Sequence, residues 1–372
     1  MTASVKPRVI VGMSGGVDSS VTAALLTQQQ QYEVQGLFMF NWDEQDDSAY
    51  CTAADDFRDA AQVCERLGIP LHRADFADQY RQQVFDLFLR DIKRGLTPNP
   101  DVLCNREIKF GAFHDYAQRL GADYIATGHY ARIVRDTGSA QLYRGIDTNK
   151  DQSYFLHAVS EPALARSLFP LGELTKTQVR DKALEFGLHN FRKRDSTGIC
   201  FIGERPFREF LANYVDVTPG QIVTTTGQAV GSHIGLPFYT LGQRQGLGIG
   251  GVAGAADAPW YVVAKRKKDN ALVVAQQRDH PLLMSDWLTA IDMHWINERP
   301  GALQAVHVAT RYRQQAAPAQ VSPGADGSCR IEFDQPQWAV TPGQYAVIYS
   351  GDHCLGGGII AAQGTAGCGA AV

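Results

Sequence analysis

The chain has no Cys-x-x-Cys pair, no apolar run long enough to cross a membrane, and no lysine in its first glycine turn. Each absence removes a class of protein. Its seven cysteines, Cys51, Cys64, Cys104, Cys200, Cys329, Cys354 and Cys368, are odd in number and widely spread, which disfavours a disulfide framework and a thiolate zinc site alike. No dedicated metal site of protein ligands is expected. The N-terminal Met-Thr-Ala-Ser-Val-Lys-Pro-Arg carries no signal-peptide h-region, so the chain reads as cytoplasmic and without a membrane partner. A formal net charge of -4 lacks the basic balance common among nucleic-acid binders. That balance conceals local faces. Asp43, Glu44, Asp46, Asp47, Asp55 and Asp56 concentrate acid in one segment, whereas Arg90, Lys93 and Arg94, Arg192 to Arg194, Lys265 to Lys268, and Arg311 with Arg313 form basic clusters. Any one cluster alone reads as a solvated face.

What is present is a globular composition, 44% hydrophobic and 20% charged, over 372 residues, which is too long for one ordinary core. The first third alternates strand and helix. Helical spacing runs from Ser19 to Gln29 and from Ala53 to Leu67, stopping at Gly68; Val34 to Phe40, Pro70 to Asp75 and Asp123 to Thr127 read as strands. This rhythm predicts an α/β unit with a doubly wound parallel sheet, whose ligands sit beyond the carboxyl ends of the strands. Met39, Gly128 and His129 fall at such ends. From about Pro206 the texture turns to short Gly-, Thr- and Val-rich runs, and after about Arg278 alternating strands dominate, at Ala305 to Tyr312, Cys329 to Phe333, Gln344 to Tyr349 and His353 to Ala361. The expected organisation is a catalytic unit over 1–205, a small central domain over 206–277 and a C-terminal β-barrel over 278–372. Gly246, Gly248 and Gly251 satisfy Gly-x-Gly-x-x-Gly, but no helix is expected after them, so they read as a glycine-rich loop.

The stretch from Val9 to Ser20, Val-Ile-Val-Gly-Met-Ser-Gly-Gly-Val-Asp-Ser-Ser, is the most informative. A buried strand that breaks into glycines and opens a helix aims backbone N–H groups at one point, where an anion is stabilised. The expected occupant is a phosphate held by Gly12, Met13, Ser14, Gly15, Gly16, Val17, Asp18 and Ser19. A plain strand-to-helix turn would not need two serines, an aspartate and adjacent glycines. Without the lysine of Gly-x4-Gly-Lys-Ser/Thr the turn departs from the usual nucleotide loop. It resembles instead the pyrophosphate loop (PP-loop) of enzymes that split ATP into AMP and pyrophosphate.

Four further blocks narrow the class: Thr97-Pro-Asn-Pro-Asp-Val-Leu-Cys-Asn105, Ala126-Thr-Gly-His-Tyr-Ala-Arg132, Lys150-Asp-Gln-Ser-Tyr-Phe-Leu156 and Asp195-Ser-Thr-Gly-Ile-Cys-Phe-Ile-Gly-Glu204. With Leu241-Gly-Gln-Arg-Gln-Gly-Leu-Gly-Ile-Gly-Gly251 and Arg311-Tyr-Arg313, they stand in the order and form of the bacterial tRNA-specific 2-thiouridylases, which the chain resembles over nearly its whole length. The resemblance implies a PP-loop ATP pyrophosphatase fold of the adenine nucleotide alpha hydrolase kind. It also implies 2-thiolation of wobble uridine 34 in the anticodon loop of tRNAs for lysine, glutamate and glutamine.

The resemblance further implies ATP and Mg2+ at the loop, with help from Asp18 and with Met39 and Gly128 bordering the adenosine. Cys200 would carry a persulfide and Cys104 would be the second nucleophile, the two ending in a transient disulfide. Asn99, Pro100 and Asp101 match the base-contacting segment, with Asp101 as a possible acid or base; a helix cap is its plainer reading. His129, Lys150, Asp151, Gln152, Arg311, Tyr312 and Gln344 match tRNA contacts. A persulfide-donating relay protein or cysteine desulfurase is the implied partner. Competing readings are an amide-forming synthetase or another tRNA thiolase, and, outside enzymes, a tRNA-binding or sulfur-relay protein on an ATP fold. A glutaminase region or Cys-x-x-Cys would mark the first two, and neither is visible.

Overall fold

The structure, a computed structural model, describes residues 6–42, 53–136, 138–194, 207–215, 217–252, 254–301 and 304–365. It begins with β1 (Arg8–Met13), whose Val9, Ile10 and Val11 have no exposure at all. A parallel strand covered on both faces requires such an unbroken apolar run. It passes through the glycine turn into α1 (Val17–Gln29), then to β2 (Glu33–Phe40), α2 (Ala53–Leu67) and β3 (Leu71–Asp75). α2 turns Ala60, Val63 and Cys64 inward, and a Cβ on Gly36 of β2 would stand 2.9 Å from the Cys64 sulfur. Glycine there lets helix and sheet close together.

Two helical runs follow. One comprises Ala77–Tyr80, a wide-turn stretch Arg81–Phe85, and Asp86–Lys93; the other comprises Pro100–Leu103, a π-helical stretch Cys104–Ala112, and Phe113–Arg119. The second starts at Asn99, whose side chain accepts from Asp101 N at 3.1 Å, with Pro100 at the first helical position. Asn99, rather than Asp101, is therefore the cap. β4 (Tyr124–Ala126) leads into a hairpin of β5 (Ala131–Val134) and β6 (Gln141–Arg144), and β7 (Ser167–Leu168) returns to the first sheet. The sheet order is β3-β2-β1-β4-β7, and the pairings are parallel.

The central unit is a four-stranded sheet made from β8 (Gly220–Thr224), β9 (Ala229–His233), β10 (Tyr261–Arg266) and β11 (Ala271–Ala275), in the order β10-β11-β8-β9. Gly246, Gly248 and Gly251 lie outside helix and strand ahead of β10, as expected for a loop. The last unit contains β12 (Met284–Trp295), β13 (Gln304–Ala309), β14 (Ala317–Pro323), β15 (Cys329–Trp338), β16 (Tyr345–Ser350) and β17 (His353–Gly364). They pair in the order β12-β15-β14-β13-β16-β17, and β12 also pairs with β17, so the sheet closes into a barrel. Leu288, Val308, Val321, Ile331, Ile348 and Ile360 help fill it. The expected three-part architecture is present.

Two boundaries differ from the periodic reading. β13 ends at Ala309, not Tyr312: Arg311 to Arg313 form a turn, with Arg313 at φ +64°. The hairpin β5–β6 belongs to the barrel's sheet, because Leu142 and Tyr143 pair with Cys354 and His353 of β17. A single apolar cluster runs from Ile10 and Phe85 through Phe210 and Leu272 to Tyr345 and Tyr349, joining all three units. Among the described residues no helix is long and apolar enough to cross a membrane.

Candidate functional site

β2 lies on one side of β1 and β4 on the other, so the chain reverses its direction of travel across the sheet at the carboxyl end of β1. Such a switch point opens a crevice, and the glycine turn lies in it. Ser14 Oγ and Ser19 Oγ stand 3.2 Å apart, and Ser19 Oγ donates to Gly16 O at 3.0 Å. α1 starts at an extended Gly16 with no side-chain cap, which leaves first-turn N–H groups for an anion. Gly15 is at φ +72°, and a Cβ there would meet Asp56 O at 2.3 Å. A Cβ on Gly128 would stand 2.9 Å from the Asp18 carbonyl carbon. Both glycines are conditions of the loop's close packing. Asn190 braces it from behind, donating to Gly15 O and Ser20 Oγ at 2.9 Å each. Met39 is half-buried near the end of β2.

Asp18 occupies the first turn of α1, where a carboxylate suits the helix dipole. Its two oxygens accept from Lys176 Nζ at 2.8 and 2.9 Å, and Oδ1 also accepts from Tyr130 OH at 2.8 Å.

The cysteine helix is tied to the same edge. His129, just past β4, is buried, with Nδ1 2.7 Å from Thr127 Oγ1 and its ring 5.8 Å from Phe110 and 5.7 Å from Phe169. Burial, with the Lys109 ammonium nearby, holds its imidazole well below its ordinary range, so it is neutral. Phe110 lies on the π-helical stretch that begins at the buried Cys104, and wide turns of this kind recur at functional sites. Asp101 stands one short turn earlier. Burial raises its carboxyl pKa, opposed by Lys109. Cys200 lies outside the described residues, as do Cys51 and Cys368. Cys64, Cys329 and Cys354 are buried thiols, the first two pushed up to about 11 by burial and Cys354 further still. That makes them poor nucleophiles.

The residues matched to RNA contact have structural duties here. Asp151 accepts from Gly145 N, Ser153 N, Ser153 Oγ and Arg144. Gln152 accepts from Tyr130 N at 3.0 Å, and Lys150 is half-exposed in the preceding turn. Tyr312 packs on Phe155 with ring centroids 4.3 Å apart. Gln344 donates to Thr97 O at 2.7 Å, from barrel to catalytic unit. Arg311 donates to Leu241 O, Ala339 O and Thr341 Oγ1 at 2.7 Å each, a setting unlike that of a solvent-facing phosphate ligand. Beside this joint a cleft of about 190 Å3 opens between Arg90, Asn99 and Arg106 on one side and His157, His294 and Tyr345 on the other.

Sequence reasoning missed Lys109, Tyr130, Lys176 and Asn190. One signal was available for Lys176: Thr175-Lys-Thr-Gln178 is a capping box, realised at both bonds, and it puts a lysine at the unfavourable positive end of a helix.

Comparison with known families gives matches in three consecutive parts. The tRNA methyl transferase HUP domain matches residues 7–204, the tRNA methyl transferase PRC-barrel domain 208–276, and the aminomethyltransferase beta-barrel domain 285–360. The chain is 54% identical to the tRNA-specific 2-thiouridylase MnmA of Paracidovorax citrulli, over 98% of each chain. It is 56% identical to that of Pasteurella multocida, over 96% of this chain and 94% of the relative. The figure for Escherichia coli O9:H4 is also 56%, over 95% and 96%. With identity at this level along all three units, the chain belongs to the tRNA-specific 2-thiouridylase family.

Proposed function

We infer that the protein replaces the C2 oxygen of wobble uridine 34 in tRNA with sulfur, using ATP to turn that oxygen into a leaving group. The observation that supports this most directly is the continuity of the site. An anion-binding helix start, Gly128 packed on it, and His129 tilted against Phe110 lead to the helix of Asp101 and Cys104. A phosphate site and a nucleophile share one edge of the sheet.

The loop's fit to ATP rests on its uncapped N–H groups and paired serines, which stabilise negative charge where pyrophosphate departs. Asp18 is the carboxylate offered to Mg2+, whose chemical contribution is to screen the phosphates; Met39 and Gly128 border the adenosine. The C2 oxygen attacks the α-phosphorus and pyrophosphate leaves, giving an adenylated uracil. Asn99, Pro100 and Asp101 present the extruded base, which is cheap to extrude because an anticodon loop is unpaired. The terminal sulfur of a Cys200 persulfide then attacks C2 and AMP departs. The Cys104 thiolate then attacks the Cys200 sulfur, so that the uridine-bound sulfur leaves as 2-thiouridine and a Cys104–Cys200 disulfide forms, which an external reductant reopens. In the alternative order Cys104 attacks the persulfide first and liberates hydrosulfide, which attacks C2. The tRNA lies across the joint, with His129, Lys150, Asp151, Gln152, Arg311, Tyr312 and Gln344 shaping its bed. A relay protein or desulfurase delivers the sulfur, in the cytoplasm.

The test is incubation with unmodified tRNA, ATP, Mg2+ and a cysteine-desulfurase system, followed by nucleoside analysis. Wild type yields 2-thiouridine and AMP. Cys200→Ser takes no persulfide yet still adenylates tRNA, and Cys104→Ser takes persulfide at Cys200 but does not turn over repeatedly. Undiminished 2-thiouridine from either variant overturns the two-cysteine mechanism, and AMP formation without any tRNA requirement overturns the assignment of substrate.

A further inference from the structure

The loop at the start of α1 turns on two adjacent glycines, and a peptide between glycines has no Cβ on either side to hinder its rotation. Flipped, the Gly15–Gly16 peptide would aim a carbonyl oxygen at the anion in place of an N–H. The structure pins it from elsewhere in the chain. Asn190, only 5% exposed, donates through Nδ2 to Gly15 O and to Ser20 Oγ at 2.9 Å each, and Ser20 Oγ donates in turn to Gly16 O at 2.9 Å. Because a carbonyl cannot donate, Gly15 O fixes which end of the Asn190 amide faces the loop. Asn190 Oδ1 has no partner among the described residues, so the amide is held there for its two donors. The residues around Asn190 are themselves tied to α2. Arg66 Nε donates to Phe186 O at 2.8 Å, His189 Nε2 stands 3.0 Å from Asp59 Oδ1, and Lys193 Nζ donates to Asp56 Oδ1 and Asp59 Oδ2 at 2.6 and 2.5 Å. Lys193 N also donates to Asn190 O at 2.9 Å, closing a turn that fixes the asparagine backbone.

We propose that Asn190 is a positioning residue for phosphate binding, which holds Gly15 O away from the anion and thereby keeps Gly16 N–H turned toward it. The proposal rests on the reading of the α1 loop as the ATP site. A trans peptide is planar, so its C=O and N–H point in opposite directions, and one bond behind the loop sets the donor in front. Gly16 N–H accordingly faces the exposed Ser14, with Oγ 3.4 Å away, on the open side of the turn. The bonds from Asn190 through Ser20 to Gly16 O act in the same way on the next peptide, whose N–H belongs to Val17 at the start of α1. Asn190 acts without touching the nucleotide. The donors stand in place before charge develops on pyrophosphate, so binding need not first turn a peptide.

Equilibrium binding of ATP, pyrophosphate and AMP to the full chain separates this role from general support of the fold. Asn190→Leu keeps the size of the side chain and removes both donors. It is expected to weaken ATP and pyrophosphate at least about tenfold, the effect of one hydrogen bond to a charged group, and to leave AMP within about twofold, because AMP lacks the two phosphates that leave as pyrophosphate. A second measurement needs no variant. With isotopically labelled glycine, the Gly16 amide proton of the wild-type chain should move downfield as pyrophosphate binds, and Asn190→Leu should lose that shift. Equal pyrophosphate binding by wild type and Asn190→Leu, equal losses for AMP and pyrophosphate, or a Gly16 amide unmoved by bound pyrophosphate overturns the proposal. A wild-type protein that binds none of the three ligands overturns the nucleotide-site reading itself.

Discussion

A histidine that no motif singles out is buried in a way that should make stability depend on pH. His157 is fully buried against Tyr345, donating through Nδ1 to Tyr154 O at 2.7 Å, and burial brings its imidazole down to about 4. The folded value lies below the unfolded one of about 6.5, so between pH 6.5 and 4 the unfolded chain binds a proton that the folded chain refuses. Stability is present above that window and lost as pH falls through it, by about 1.4 kcal/mol per unit. Chemical denaturation at pH 7 and pH 5 should show a drop of about 2 kcal/mol from this residue, and His157→Gln should shrink that drop while lowering stability at pH 7. An unchanged drop would put the acid sensitivity elsewhere, with the buried His129 next in line. Candidate residues within motifs, such as Asp101, Cys104 and Asp18, were legible because their chemistry depends on residue type and spacing. His157, Lys109 and Lys176 were not, since their roles come from burial and from partners distant in the chain.

At the scale of elements, β1, α1 and β2 were readable to within about two residues because a covered parallel strand and a helix leave different periods. The π-helical stretch from Cys104 to Ala112 left no such mark: a wide turn costs one register shift and no change of composition. β13 was overextended because Arg311-Tyr-Arg continues an alternation that the backbone abandons at Ala309. Gly15 offers the sharpest test of the loop. Alanine there would need a left-handed backbone and would place its Cβ 2.3 Å from Asp56 O. Gly15→Ala should cost ATP affinity at least about tenfold, equivalent to about 1.4 kcal/mol, with little loss of secondary structure by circular dichroism. Wild-type affinity in a folded variant would remove the turn from the ATP site.

Across the whole molecule, the three units meet through polar joints as well as the shared core. Lys265 Nζ of the central sheet donates to Gly95 O at 3.3 Å, and burial beside Lys267 brings it down to about 8. Arg311 joins the central unit's Leu241 O to the barrel's Ala339 O and Thr341 Oγ1. Removing this half-buried guanidinium takes the donor from Leu241 O, whereas Ala339 O still accepts from Thr341 Oγ1 at 2.8 Å; a group left unsatisfied costs about 1–3 kcal/mol. Arg311→Ala should therefore lower the thermal midpoint by several degrees and weaken tRNA binding without flattening its salt dependence. A slope of log K against log salt reduced by about 0.7 to 0.9 would instead identify Arg311 as a direct phosphate contact. None of these joints was legible in the sequence, because each links residues whose neighbours along the chain give no hint of the other.

The hairpin that leaves the catalytic unit to lengthen the barrel's sheet also governs the order in which a newly made chain can settle. Leu142 and Tyr143 are synthesised long before Cys354 and His353, their partners. Until the ribosome has released almost the last strand, β6 presents an unpaired edge, the kind of surface that captures other chains. The first unit can acquire its sheet early, but it cannot finish alone. A stop codon or proteolytic cut ahead of β17 would therefore damage the catalytic half as well as the barrel, and incomplete chains should be drawn to chaperones and aggregates rather than persist as working nucleotide-binding fragments.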